Sequence, residues 1–539
     1  MLASQDHGEK IANLQRQPKP KRPSLFKYPA LPAPEMALYY CVSPYMIFLG
    51  FIRVYKASDE FRRTTLPVYV QPSDWAFIGG YKDFTNYEWQ YIVAYIQSAL
   101  IWFVGHFYLF NRTDTILGKI WSPCMLVYWL TANSTMLSIR VVMVVLLQGT
   151  FIYLNARLFP HWASIWASGI LTLYTFTKHQ YEVETWFGIE NSPNLMFQQM
   201  VISYKHLQFI SFCLTHLEHP REEDKPFLKG LYNMFWYAFY LPYSVSIVVV
   251  YSKFCDQISS RAQNKSLTQD STQRQGFLLL LRVLAYIPAL ELTRHYLYFD
   301  AMMENYRYLA KVPKYTMMAI GVSCLVFFYL KYIVIFGFPR AFALMDRMSP
   351  HALPACVCRI ALYSNHWRNF DRGIYEFFKI HIYLPVARPC FSLTRRLSAT
   401  MVSFSFVIVW HGAEWGTIVW IGLNTLGIML ETTAKAVYEK YLKSHRERLI
   451  SDTWLRRALG WLQIVSFAIG TYGIFYFLGG ARSGYVFVER IFWQENMRLR
   501  PLFFELIIIG YAHCNISMEC ERLLEQSKQH NQKHTKKSE

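Results

Sequence analysis

Residues 403–424 read SFSFVIVWHGAEWGTIVWIGLN. The run is long and apolar enough to enter a membrane, yet it holds His411 and Glu414 among tryptophans. A bilayer core is crossed by about 20 mostly apolar residues, and ionisable groups at that depth are costly enough to be read as functional by default. The other reading of His411 is a buried neutral imidazole bonded to a backbone carbonyl. Its neighbours favour a site: Gly412 and Gly416 permit close approach of a backbone or a ligand, and Trp410, Trp415 and Trp420 can wall an apolar tunnel whose indole N–H groups still need partners.

Working outward, apolar runs of similar length lie near 36–54, 89–110, 117–134, 138–156, 161–177, 196–216, 231–252, 277–297, 315–338, 459–479 and 501–519, and 399–430 is long enough for two helices or one broken one. The pattern predicts an all-α polytopic membrane protein with about ten to twelve transmembrane helices plus re-entrant or interfacial segments. Composition agrees. With 53% hydrophobic and 17% charged residues, the chain has too little polar surface to cover a soluble globule of 539 residues. The net charge of +19 is interleaved with the apolar runs, which fits cytoplasmic loops beside anionic membrane lipids and argues against a nucleic-acid partner. Ten cysteines without CxxC spacing make neither a disulfide framework nor a zinc site. The lack of an internal repeat weighs against an inverted-repeat transporter.

Residues 1–35 read as a disordered basic cytosolic arm and 520–539 as a disordered cytosolic tail. The tail ends Lys536-Lys537-Ser538-Glu539, a dilysine-like retrieval signal that places the protein in the endoplasmic reticulum membrane, with the Golgi as the alternative. Between these ends, 254–276 reads as a polar loop, and IYEFFKIHIYLP at 374–385 as an amphipathic interfacial segment.

A second constellation, NHWRNFDRGIYEFFKIHIYLP at 365–385, sets Asp371 between Arg368 and Arg372. Such an Asp is commonly a plain ion pair. Together with His411 it also suits proton transfer from a nucleophile, the carboxylate orienting the reactants.

These motifs together resemble the membrane-bound O-acyltransferase family, and within it the Hedgehog acyltransferases. The resemblance rests on the intramembrane Trp410-His411-Gly412, the preceding W-R-x-F-D of 367–371, and the tryptophan-rich span ending at Leu423-Asn424. It extends to KDFTNYEWQ (82–90), FFYLKYIVIFGFPRAFALMD (327–346), LPACV (353–357) and FYFLGGARSGYVFVERIF (475–492). The resemblance implies a catalytic domain over 36–519, His411 as catalytic residue, Asp371 as a second required residue, and Trp367 as a gate or wall of an acyl-CoA tunnel. Trp410 and Asn424 join it as substrate-facing residues. It further implies palmitoyl-CoA as donor, the N-terminal cysteine of a Hedgehog-type secreted precursor as acceptor, and haem b ligated by Cys356. An ordinary interfacial or S-acylated thiol is the alternative for Cys356, with Cys358 two positions on. Arg368 and Arg372 are our own assignment for attracting the donor's phosphates.

The presence of His411 argues against the acyltransferase-like paralogue that lacks this histidine. One stretch departs from the family: FYLPYSVSIVVVYSKF (239–254) is apolar where a polar, glycine-containing turn is expected. Alternative functions are transfer to a Wnt or peptide-hormone serine or to a lipid or sterol hydroxyl, or a non-enzymatic transporter or scaffold.

Overall fold

The computed structural model describes residues 28–538 except 66–69, 113–117, most of 179–194, 264–268, 358–359, 361, 447–449 and 497–499. The first part of the expected basic arm, and Cys358, lie outside the described residues. The chain opens with α1 (Ala33–Thr65), a short hairpin of β1 (Val70–Pro72) and β2 (Tyr81–Asp83), α2 (Tyr87–Arg112), α3 (Gly118–Met136), α4 (Ile139–Leu158) and α5 (Trp162–Lys178). Next come α6 (Leu195–Glu218), α7 (Phe227–Phe239), α8 (Tyr251–Gln263), α9 (Gln269–Tyr296), α10 (Phe299–Glu304), α11 (Tyr306–Leu309) and α12 (Lys314–Met345). The last part holds α13 (Tyr363–Asn369), α14 (Arg372–Phe378), α15 (Leu384–Ala387), α16 (Leu393–Trp410), α17 (Trp415–Val437), α18 (Asp452–Phe487) and α19 (Pro501–Ser538).

Among the described residues, seven of these helices are long and apolar enough to cross a membrane. Their outer faces carry Leu38, Tyr45 and Phe48 on α1, Leu147 and Phe151 on α4, Phe277, Leu278 and Leu281 on α9, and Trp461, Leu462 and Val465 on α18, all exposed. Apolar surface of that extent belongs in lipid rather than water. α12 is different: it is apolar on every side and buried along most of its length, the mark of a helix at the centre of the bundle. It packs against α9 and α1, and its Phe327, Phe338 and Phe342 join the core.

The span expected at 231–252 does not form. α7 stops at Phe239, a single turn of 3-10 helix spans Leu241–Tyr243, and residues 245–250 run irregular and buried before α8 begins. Pro242 has no N–H to continue a helix, and the Val245–Val250 run is stiff and β-prone. Such backbone survives at this depth because protein satisfies it. Gln208 Nε2 donates to the Tyr243 carbonyl at 3.0 Å, the Tyr237 hydroxyl to that of Val249, and the Tyr251 N–H to Ser211 Oγ at 3.1 Å. The buried stretch also backs the site, because α14 presses Gly373 against the Val248 carbonyl with no room for a Cβ. Gly373→Ala is therefore expected to destabilise the protein by about 1–3 kcal/mol, read as a fall in Tm in detergent, and to displace the residues flanking it.

Three further expectations change. The polar segment 254–276 is largely helical, as the ends of α8 and α9, because its Gln, Arg and Ala residues are good helix formers. The tail read as disordered continues α19 as far as Ser538: no proline or glycine follows Gly510, and Glu, Leu, Gln and Lys favour the helix. At the other end, the arm is docked before residue 36, with the Pro29 carbonyl accepting from Arg456 Nη1 at 2.9 Å. The amphipathic segment 374–385 is helical, widened to π-helix at Lys379–Tyr383, and buries Phe377, Phe378, His381 and Ile382 in the body of the protein.

Candidate active site

The run 403–424 is two helices. α16 ends at Trp410 and α17 begins at Trp415; between them Gly412 takes φ +91° and Ala413 φ +54°. Glycine enters the left-handed region freely, whereas for alanine it costs roughly 1–2 kcal/mol. The break puts His411 at the C-cap of α16, where its N–H bonds the Val407 carbonyl at 3.0 Å and its side chain leaves the helix. The imidazole stands edge-on to Trp410 (centroids 4.8 Å apart) and Trp420 (5.6 Å). The ring is exposed to the cavity it lines. Gly416, one turn further, lies against the backbone of α18, 3.1 Å from the Tyr476 carbonyl at the Cβ position, where α18 itself kinks at Gly480. Its small size thus serves a backbone rather than a ligand.

Asp371 is the N-cap of α14. Its Oδ1 accepts from the Ile374 N–H at 2.9 Å and its other oxygen from the Tyr204 hydroxyl at 3.2 Å. A carboxylate is well suited to this place, because the free N–H groups and dipole of a helix start favour negative charge. Tyr204, from α6, also stacks edge-on against Trp410 with centroids 5.8 Å apart. One aromatic contact chain, Tyr204–Trp410–His411, thereby links the carboxylate's partner to the imidazole.

His411 and Asp371 line one cavity of about 1830 Å³. Single drug-sized ligands occupy sites of roughly 300–1,000 Å³, so this space is larger than one such ligand requires. Trp367 also lines it: its Nε1 donates to Asn424 Oδ1 at 2.8 Å, and its ring lies 5.8 Å from Trp420, which stacks on Phe477. Trp410 and Asn424 are on the same wall. Arg368, exposed, and Arg372, half-buried, are not. At another part of the wall Lys331 pairs with Glu88, which also accepts from the Tyr332 hydroxyl at 3.0 Å, while Asn86 bonds Asp300 at 3.2 Å. Sequence reasoning passed over this group. Lys331 carried a signal, being a charge inside an apolar run. Tyr204 carried none, as one of 38 tyrosines.

Cys356 is half-buried in a non-helical stretch and is not part of the cavity wall. No group of three or more His, Cys, Asp or Glu side chains converges as a metal site among the described residues. The cavity wall does not include this thiol, so no step below passes through a haem.

Residues 124–473 match the family model of the membrane-bound O-acyltransferases. The chain belongs to that family. It is thus a multi-pass membrane acyltransferase, with the His411 break inside the matched region. Among curated proteins, the O-acyltransferase is 27% identical over 495 residues to the protein-cysteine N-palmitoyltransferase HHAT of Mus musculus, covering 90% of this chain and 97% of that one. It is 26% identical to the protein-cysteine N-palmitoyltransferase Rasp of Drosophila melanogaster, over 53% of this chain and 56% of Rasp. It is also 22% identical to the HHAT-like protein of Mus musculus, over 81% and 86% of the two chains.

Proposed function

We propose that this acyltransferase moves palmitate from palmitoyl-CoA to the α-amine of the N-terminal cysteine of a Hedgehog-type secreted precursor, in the membrane of the endoplasmic reticulum. The observation that carries the reading is the placement of His411 and Asp371 on one large, predominantly apolar cavity together with Trp367, Trp410 and Trp420. Support for the acceptor comes from the activity of the two protein-cysteine N-palmitoyltransferase relatives and from charge. Among the described lining residues, Glu88, Asp300, Glu304, Asp371, Glu414 and Glu505 face only Arg53 and Lys331, an environment that favours a cationic amine.

The acyl chain fills the apolar part of the cavity beside Trp367 and Trp420. An N-terminal amine has a pKa of about 7.7–8.0, so a neutral fraction exists at cellular pH. Its nitrogen attacks the thioester carbonyl, and His411 accepts the proton the nitrogen gives up. The C–S bond breaks as the C–N bond forms, and the thiolate of CoA leaves and is protonated. Asp371 stays ionised on its cap and orients the amine by accepting its hydrogen bond.

Purified protein, labelled palmitoyl-CoA and a short peptide with an N-terminal cysteine test the reading. Transfer is expected to the free peptide and not to one whose amine is acetylated. A non-hydrolysable palmitoyl-CoA analogue is expected to raise Tm. Transfer to the blocked peptide would point to another acceptor atom, and substrate uptake into vesicles without transfer would point to a transporter.

A further inference from the structure

α17 carries a buried carboxylate that the chemistry above leaves unused. Glu431 is 7% exposed near the end of α17, and an unbonded buried carboxyl is costly. Both of its oxygens are occupied. One accepts from the Tyr363 N–H at 2.7 Å and the other from the Ser364 N–H at 3.1 Å. These are the first N–H groups of α13, whose own N-cap, Leu362, has no side-chain oxygen to offer. Glu431 therefore caps α13 from a different helix, and its charge suits the positive end of that helix dipole.

The contact is part of a longer clamp. Asn424, Gly427 and Glu431 fall at positions i, i+3 and i+7, on one face of α17. Asn424 accepts from Trp367, Gly427 has the Tyr363 ring lying on it with no room for a Cβ, and Glu431 holds the helix start. α13 leads through Phe370 directly into Asp371, so the clamp fixes the rotation and depth of the segment that carries both Trp367 and Asp371.

We propose that Glu431 is a positioning residue for acyl transfer: it holds α13 in register with α17 and thereby sets Trp367 and Asp371 in the cavity. The inference rests on the transfer reaction proposed above, so its test carries one readout that does not depend on activity. Wild type, Glu431→Gln and Glu431→Ala are compared in detergent by Tm, by KM and kcat for peptide palmitoylation, and by amide hydrogen exchange over residues 363–371. Misplacement of a reacting group by about 1 Å costs on the order of a hundredfold in rate. The expected result for Glu431→Ala is faster exchange over 363–371 and a kcat lowered about ten- to hundredfold, with the donor KM raised because Trp367 borders the acyl chain. Glu431→Gln keeps one accepting oxygen but turns an NH2 donor toward the other N–H, so exchange and kcat between those of wild type and Glu431→Ala are expected, and this variant reads the clamp if the alanine variant does not fold. Unchanged exchange in the variants, or faster exchange with kcat retained, overturns the proposal. A loss of kcat that only follows the folded fraction overturns it as well. Wild type without transfer would sink the reaction itself, and the exchange result would still separate that failure from failure of the clamp.

Discussion

His411→Ala is expected to lower kcat for peptide palmitoylation by about 10²–10⁴-fold, the usual contribution of a positioned general base, with Tm near that of wild type. The stability half of this expectation follows from where the residue sits. The backbone bonds that end α16 come from the His411, Gly412 and Ala413 N–H groups to Val407, Val409 and Ile408, and none uses the imidazole. The ring borders open cavity on one side and meets two tryptophan edges on the other, so truncation enlarges an existing space rather than opening a sealed void. A transfer rate close to wild type in well-folded His411→Ala would remove the imidazole from the mechanism.

For Asp371, the charge and the cap are separable. Asparagine is as good an N-cap as aspartate, so Asp371→Asn is expected to keep the bond from Ile374 and hold Tm, while losing the carboxylate that orients the amine. Its kcat should fall by about 10²-fold. Asp371→Ala removes the cap too and should cost about 1 kcal/mol more in stability, besides leaving the Tyr204 hydroxyl without its partner. If Asp371→Asn transfers palmitate like wild type and only the alanine variant fails, the residue acts through α14 alone. Kinetics at matched folded fractions distinguish the two.

How much of this was legible in the chain differs from residue to residue. His411 stood out because a titratable ring within an apolar, tryptophan-rich run is expensive, and the structure gives the reason it is there: the helix breaks at Gly412 and hands the ring to a cavity. Asp371 was readable as a residue of interest, but not as a cap, because capping depends on where α14 starts. The arginines beside it illustrate the limit of sequence proximity. On a short helix, neighbours point to different faces, so Arg368 is exposed while Trp367 lines the cavity. The stretch 231–252 misled by hydropathy alone, since average apolarity does not distinguish a spanning helix from buried extended chain interrupted by Pro242. Glu431 was invisible for a related reason: it follows the apolar run, where a carboxylate looks like the end of a span, and only the arrival of α13 from elsewhere in the chain gives it two N–H groups to hold.

The most direct test of the account is the chemical linkage formed by purified wild-type protein with palmitoyl-CoA and a peptide bearing an N-terminal cysteine. Palmitate is expected on the α-amine, resistant to hydroxylamine, located by fragment masses at the first residue and lost with His411→Ala. Palmitate released by hydroxylamine, found on another residue, or absent although the protein melts cooperatively, would contradict it.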